Sequence, residues 1–61
     1  MKRRDLLRRL RQVANSRGEE MVVIEGGSHT KVVIGDRRTV VPRHAEINEL
    51  TAKAILKQIG A

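Results

Sequence analysis

The chain contains no cysteine, no phenylalanine, no tyrosine, no tryptophan and only one proline, Pro42. Without cysteine there is no disulfide and no thiolate metal site to steady a small fold. Without aromatic rings the core must be assembled from Leu, Ile, Val and Ala, and no base can stack on a side-chain ring. No apolar run is long enough to span a bilayer. The opening Met1-Lys2-Arg3-Arg4 has the charge of a signal-peptide n-region, but Arg8, Arg9 and Arg11 interrupt any apolar segment behind it. A soluble, cytoplasmic protein is expected. Acid is scarce as well: 13 Lys and Arg stand against 7 Asp and Glu, a net charge of +6.

That excess of positive charge in 61 residues points to a polyanion, and nucleic acid is the commonest one. A membrane surface is the weaker option, because only the first helical segment is basic and it is short. Residues 1–61 make one small domain. A chain of this size buries only about 60% of its unfolded surface. An oligomer, such as a homodimer, or a tightly bound protein partner would supply further burial.

Leu6, Leu7, Leu10, Val13 and Ala14 recur at helical spacing and predict an amphipathic helix from Arg4 to Arg17, ended by Gly18. Its start has no Ser or Thr cap, and arginines there oppose the helix dipole. Met21–Ile24 reads as a short β-branched strand. Gly26-Gly27 reads as a turn made by glycines with positive φ. Strands then follow at Thr30–Ile34 and Arg38–Val41, joined by the two-residue turn Gly35-Asp36 and closed by Pro42. A second helix starts after the cap residue Asn48 and stops at Gly60. The fold class is α+β, in the order α-β-β-β-α, with both helices on one face of a three-stranded antiparallel sheet.

The Gly35-Asp36 turn fixes a register by arithmetic. Ile34 faces Arg37, Val32 faces Thr39 and Thr30 faces Val41, all on the helix-covered side. Val33 faces Arg38, Lys31 faces Val40 and His29 faces Pro42 on the other. His29, Lys31 and Arg38 therefore share the open face, and Arg43 and His44 lie just beyond Pro42. A histidine can move a proton near neutral pH, and neighbouring cations can offset charge on a phosphate. The arrangement suits a phosphodiester site with a proton carrier, presented by the turn Gly26, Gly27, Ser28. The competing reading is a glycine hairpin with a solvent-facing histidine and an ordinary charged sheet face. Neither histidine has the ligands for a metal site, since only Glu46 is near in sequence, and no cofactor is expected.

Three segments, Gly27-Ser28-His29 with Val32, Thr39-Val40-Val41-Pro42-Arg43-His44, and Ala54-Ile55-Leu56-Lys57-Gln58-Ile59-Gly60, resemble the HicA-like toxins. These are bacterial and archaeal ribonucleases of toxin–antitoxin systems. The resemblance spans nearly the whole chain and implies a double-stranded-RNA-binding-domain-like fold. It implies an endoribonuclease that cleaves mRNA, with His29 as the catalytic residue, neutralised by a HicB-like antitoxin. Family members often carry aromatics after the first helix and three residues beyond the histidine. Glu19, Glu20 and Val32 occupy those regions here, and Leu50 stands where a glycine is usual.

The residues thus support His29 as general base or acid, with Lys31, Arg38 and Arg43 on the phosphate and Arg8 and Arg11 as an electrostatic track. His44 is a further candidate phosphate contact. The alternative is a non-catalytic RNA-binding module of the same fold, reading RNA by phosphate and 2′-OH contacts. A DNA-binding domain fits less well, because the first helix offers arginines rather than polar base-readers.

Overall fold

The apolar stripe of the first segment and the β-branched runs that follow fold as their spacing dictates. The computed structural model describes residues 1–61. Its elements are α1 (Arg3–Arg17), β1 (Met21–Glu25), β2 (His29–Ile34), β3 (Arg37–Pro42) and α2 (Glu49–Ile59). The strands form one antiparallel sheet in the order β1-β2-β3. The expected α-β-β-β-α order holds, and no helix is long and apolar enough to cross a membrane.

Both helices end in the same way. Gly18 and Gly60 adopt positive φ, at 65° and 82°. The amides of Gly18 and Glu19 donate to the carbonyls of Asn15 and Ala14, and those of Gly60 and Ala61 donate to Lys57 and Leu56. These are paired C-terminal bonds that need a left-handed residue, which glycine supplies without strain. At the other end of α2 the Asn48 side chain accepts from the Leu50 amide at 2.8 Å. The start of α1 has no side-chain cap. The backbone there is tied down differently: Arg3 N–H donates to Ala45 and Ile47 N–H to Met1. The Met1 amine also donates to the Glu49 carboxylate at 3.0 Å. That bond holds the amine above its ordinary pKa, against the lowering effect of desolvation.

The sheet register is the one expected from Gly35-Asp36, with His29 opposite Pro42, Lys31 opposite Val40 and Val33 opposite Arg38. Gly35 has φ 62° and Asp36 has none of the positive φ that a type I′ turn would demand, which matches a type II′ hairpin. Pairing of β1 extends the rows, setting Val23 opposite Val32 and Ile24 opposite Lys31. Because paired residues share a side, Glu25, Thr30 and Val41 face the helices, as do Val23, Val32 and Thr39. Leu6, Leu10 and Ala14 of α1 and Ala52, Ile55 and Ile59 of α2 close over that side, with Ile47 between them. Leu7 and Val13 pack at the margin rather than within the core.

One expectation is corrected. Gly26 and Gly27 do not use positive φ, which is confined to Gly18, Gly35 and Gly60. The constraint at Gly26 is steric: a Cβ there would lie 2.9 Å from the carbonyl oxygen of His29.

Candidate functional site

The open face of the sheet is defined by what the helices leave uncovered. His29 opens β2 and is exposed. Lys31 lies two residues along on the same side, about 7 Å further at the rise of an extended strand. Arg38 is diagonal to Lys31 across the β2–β3 ladder, a separation of about 7–8 Å. Histidine, lysine and arginine thus form a line down one face. None of the ion pairs in the chain involves Lys31 or Arg38. Their charge is available to an incoming anion.

Apolar side chains separate these cations. Val40 and Ile24 flank Lys31, and they are 46% and 51% exposed, although the core has no aromatic ring and depends on aliphatic side chains. A groove of about 630 Å³ runs between this face and α2, lined by Lys31, Val33, Arg38 and Val40 with Thr51 and Ala54. It combines positive charge with hydrocarbon and contains no carboxylate.

The turn that carries His29 is closed by a backbone bond from Gly26 N–H to the His29 carbonyl at 2.9 Å. Arg43 reaches it from the far side of Pro42, donating from Nη1 to the Gly26 carbonyl at 2.9 Å, with the Gly27 carbonyl at 3.5 Å. The imidazole of His29 makes no hydrogen bond within the chain, and neither does that of His44. No three His, Cys, Asp or Glu side chains gather into a group that could hold a metal ion.

An alignment 40 positions long, covering 62% of the chain, is 50% identical to a curated protein of Escherichia coli O157:H7 named "Probable mRNA interferase HicA". The match covers 69% of that protein. A protein of Escherichia coli strain K12 named "Probable mRNA interferase toxin HicA" matches to the same extent. The chain belongs to the HicA toxin family. No family model matches it, and no solved structure matches it significantly.

Within this HicA-family chain the sheet brings His29, Lys31 and Arg38 together and hangs Arg43 on the adjoining turn. His44 lies exposed one residue further on. Arg8 and Arg11 are elsewhere. They are exposed on α1, which packs against the opposite side of the sheet, and Arg8 lies 3.8 Å from Asp5.

Arg3 has a role that its place in the sequence conceals. Its Nε donates to the Pro42 carbonyl at 3.2 Å and its Nη2 to Thr30 Oγ1 at 2.5 Å. Thr30 Oγ1 donates in turn to Glu25 at 2.5 Å. Arg3 therefore braces, from the helix side, both the residue after His29 and the residue paired with it. The available signal was Thr30 itself, a buried hydroxyl that needs partners once its row is assigned to the core side.

Proposed function

We propose that this HicA-family protein is an mRNA interferase, an endoribonuclease that cuts single RNA strands across the open face, with His29 as its proton carrier. The imidazole takes the proton from a ribose 2′-OH, and the freed oxygen attacks the adjacent phosphorus. A new O2′–P bond forms, the P–O5′ bond breaks, and the departing 5′-oxygen takes a proton back from the histidinium. The products are a 2′,3′-cyclic phosphate and a 5′-hydroxyl end. Lys31 and Arg38 offset charge on the phosphoryl oxygens, which is where donors accelerate such a step most. No metal ion is needed for this route. RNA bases lie against Val40, Val33 and Ile24 in place of aromatic rings.

The observation that carries this reading is the β2–β3 register, which sets His29, Lys31 and Arg38 on one uncovered face. The names of the two relatives supply the substrate class. The same groove, cationic and apolar together, suits a HicB-like antitoxin that covers the face and presents acids to Lys31, Arg38 and Arg43. The site of action is the cytoplasm, where mRNA is met.

A second reading has an observation in its favour. No group within the chain orients the His29 ring, as it would in a preorganised acid–base pair. In that reading the protein binds RNA without cutting it.

Incubation of a defined single-stranded RNA in EDTA with the protein and its His29→Ala variant separates the two. General acid–base catalysis is typically worth about 10²- to 10⁴-fold, so the variant should lose at least that order of rate while keeping its RNA affinity. Equal cleavage by both would remove His29 from the chemistry. No cleavage by either, with RNA still bound, would establish the binding module. A co-purified acidic antitoxin should stop cleavage in the same assay.

A further inference from the structure

Arg43 looks at first like one more cation for the phosphate. Its contacts say otherwise. The Nη1 atom is engaged with the two carbonyl oxygens of the glycine turn, at 2.9 and 3.5 Å. Those carbonyls belong to residues 26 and 27, and the chain reaches His29 only two residues later. The turn is closed internally by a single backbone bond, Gly26 N–H to His29 C=O. Two successive glycines are the most flexible link a chain can have. Left to itself, such a turn would let His29 wander.

Arg43 is well placed to prevent this. It follows Pro42, whose ring fixes φ and so the direction in which the chain leaves β3. Pro42 is the cross-strand partner of His29. The guanidinium thus starts from beside the histidine's own ladder position and returns to the turn in front of it. Arg3 holds the Pro42 carbonyl from the helix side, so the anchor of this brace is itself fixed. The loop before His29 and the strand beside it are tied into one frame.

We infer that Arg43 is a positioning residue: it clamps the Gly26-Gly27 carbonyls and so sets where the His29 imidazole stands, instead of binding the scissile phosphate. The inference rests on the catalytic reading of His29 for its effect on rate, but not for its effect on the turn. A misplacement of about 1 Å in a reacting group can cost on the order of 10²-fold, so loosening the turn reaches the chemistry without touching substrate affinity.

The test compares Arg43→Lys and Arg43→Gln with the unaltered protein and with His29→Ala. Three quantities are measured: single-turnover cleavage of a defined RNA, RNA affinity over a range of salt, and amide hydrogen exchange. Lysine keeps the charge, but its ammonium is a point charge on a shorter reach, not a planar fork. A clamp predicts that both Arg43 variants lose about tenfold to a hundredfold in rate. It also predicts faster exchange of the Gly26 amide and an unchanged slope of log affinity against log salt.

A phosphate ligand predicts the reverse. Arg43→Lys would then cleave normally with a protected turn, and Arg43→Gln would bind RNA more weakly with a slope reduced by about 0.7. That result would overturn the inference. If His29→Ala cleaves as fast as the unaltered protein, the catalytic reading falls and the exchange of the Gly26 amide decides the clamp alone. An unchanged Gly26 amide in both Arg43 variants would refute it.

Discussion

A methyl group at Gly26 would stand 2.9 Å from the His29 carbonyl oxygen, whereas at Gly27 it would meet nothing within 4 Å. Neither glycine has positive φ, so backbone strain does not distinguish them; contact does. The oxygen that a Cβ at Gly26 would crowd is the one that accepts the Gly26 amide. Gly26→Ala must push the His29 carbonyl away and stretch or lose that bond. The net worth of one such bond is about 1 kcal/mol. Gly26→Ala should therefore lower the free energy of urea unfolding by about 1–2 kcal/mol and slow RNA cleavage. Gly27→Ala should stay within about 0.5 kcal/mol, as surface changes away from special features do. Equal losses at the two positions would mean that flexibility, and not the close approach, is what the turn requires.

Among the elements, α2 is held at its C-terminal end by a residue of α1. Arg17 donates to the carbonyls of Ile59 and Gly60 at 2.7 and 2.6 Å, where the helix leaves acceptors unpaired and its dipole favours a cation. Arg17→Ala should cost about 1 kcal/mol, the net worth of exposed hydrogen bonds of this kind. Amide exchange should quicken in the last turn of α2 and not in β2. Arg11→Ala, exposed on the same helix with no such partner, serves as the control. This contrast also marks what the sequence could reveal. Helix ends were legible because glycine has one conformational use there, and the open-face trio was legible because a two-residue turn makes register a matter of counting. The destinations of Arg3 and Arg17 were not. Their partners lie 39 and 42 residues away along the chain, and periodicity reports only near neighbours. The Gly26 constraint is hidden from the sequence for a related reason: a close approach depends on where a second residue's carbonyl ends up.

At the scale of the whole molecule, the positive charge is divided between two layers. Lys31 and Arg38 belong to the open sheet face, Arg8 and Arg11 to the outer surface of α1 on the other side. The shortest dimension of the Cα trace is 16 Å, so an RNA strand could in principle touch both layers, and affinity alone would not tell one path from two. The salt dependence can. Each phosphate neutralised on a single strand releases counterions and adds about 0.7 to the slope of log affinity against log salt. The double variant Lys31→Gln, Arg38→Gln should reduce that slope by about 1.4, twice this increment. Arg8→Gln with Arg11→Gln removes the same formal charge. It should reduce the slope by less than about 0.5 if the strand lies only across the open face. Fluorescence anisotropy of a short labelled RNA between about 50 and 200 mM salt covers the range in which such slopes are read. Equal reductions from the two pairs would show RNA wrapping the molecule, and the groove beside α2 would lose its claim to be the substrate path.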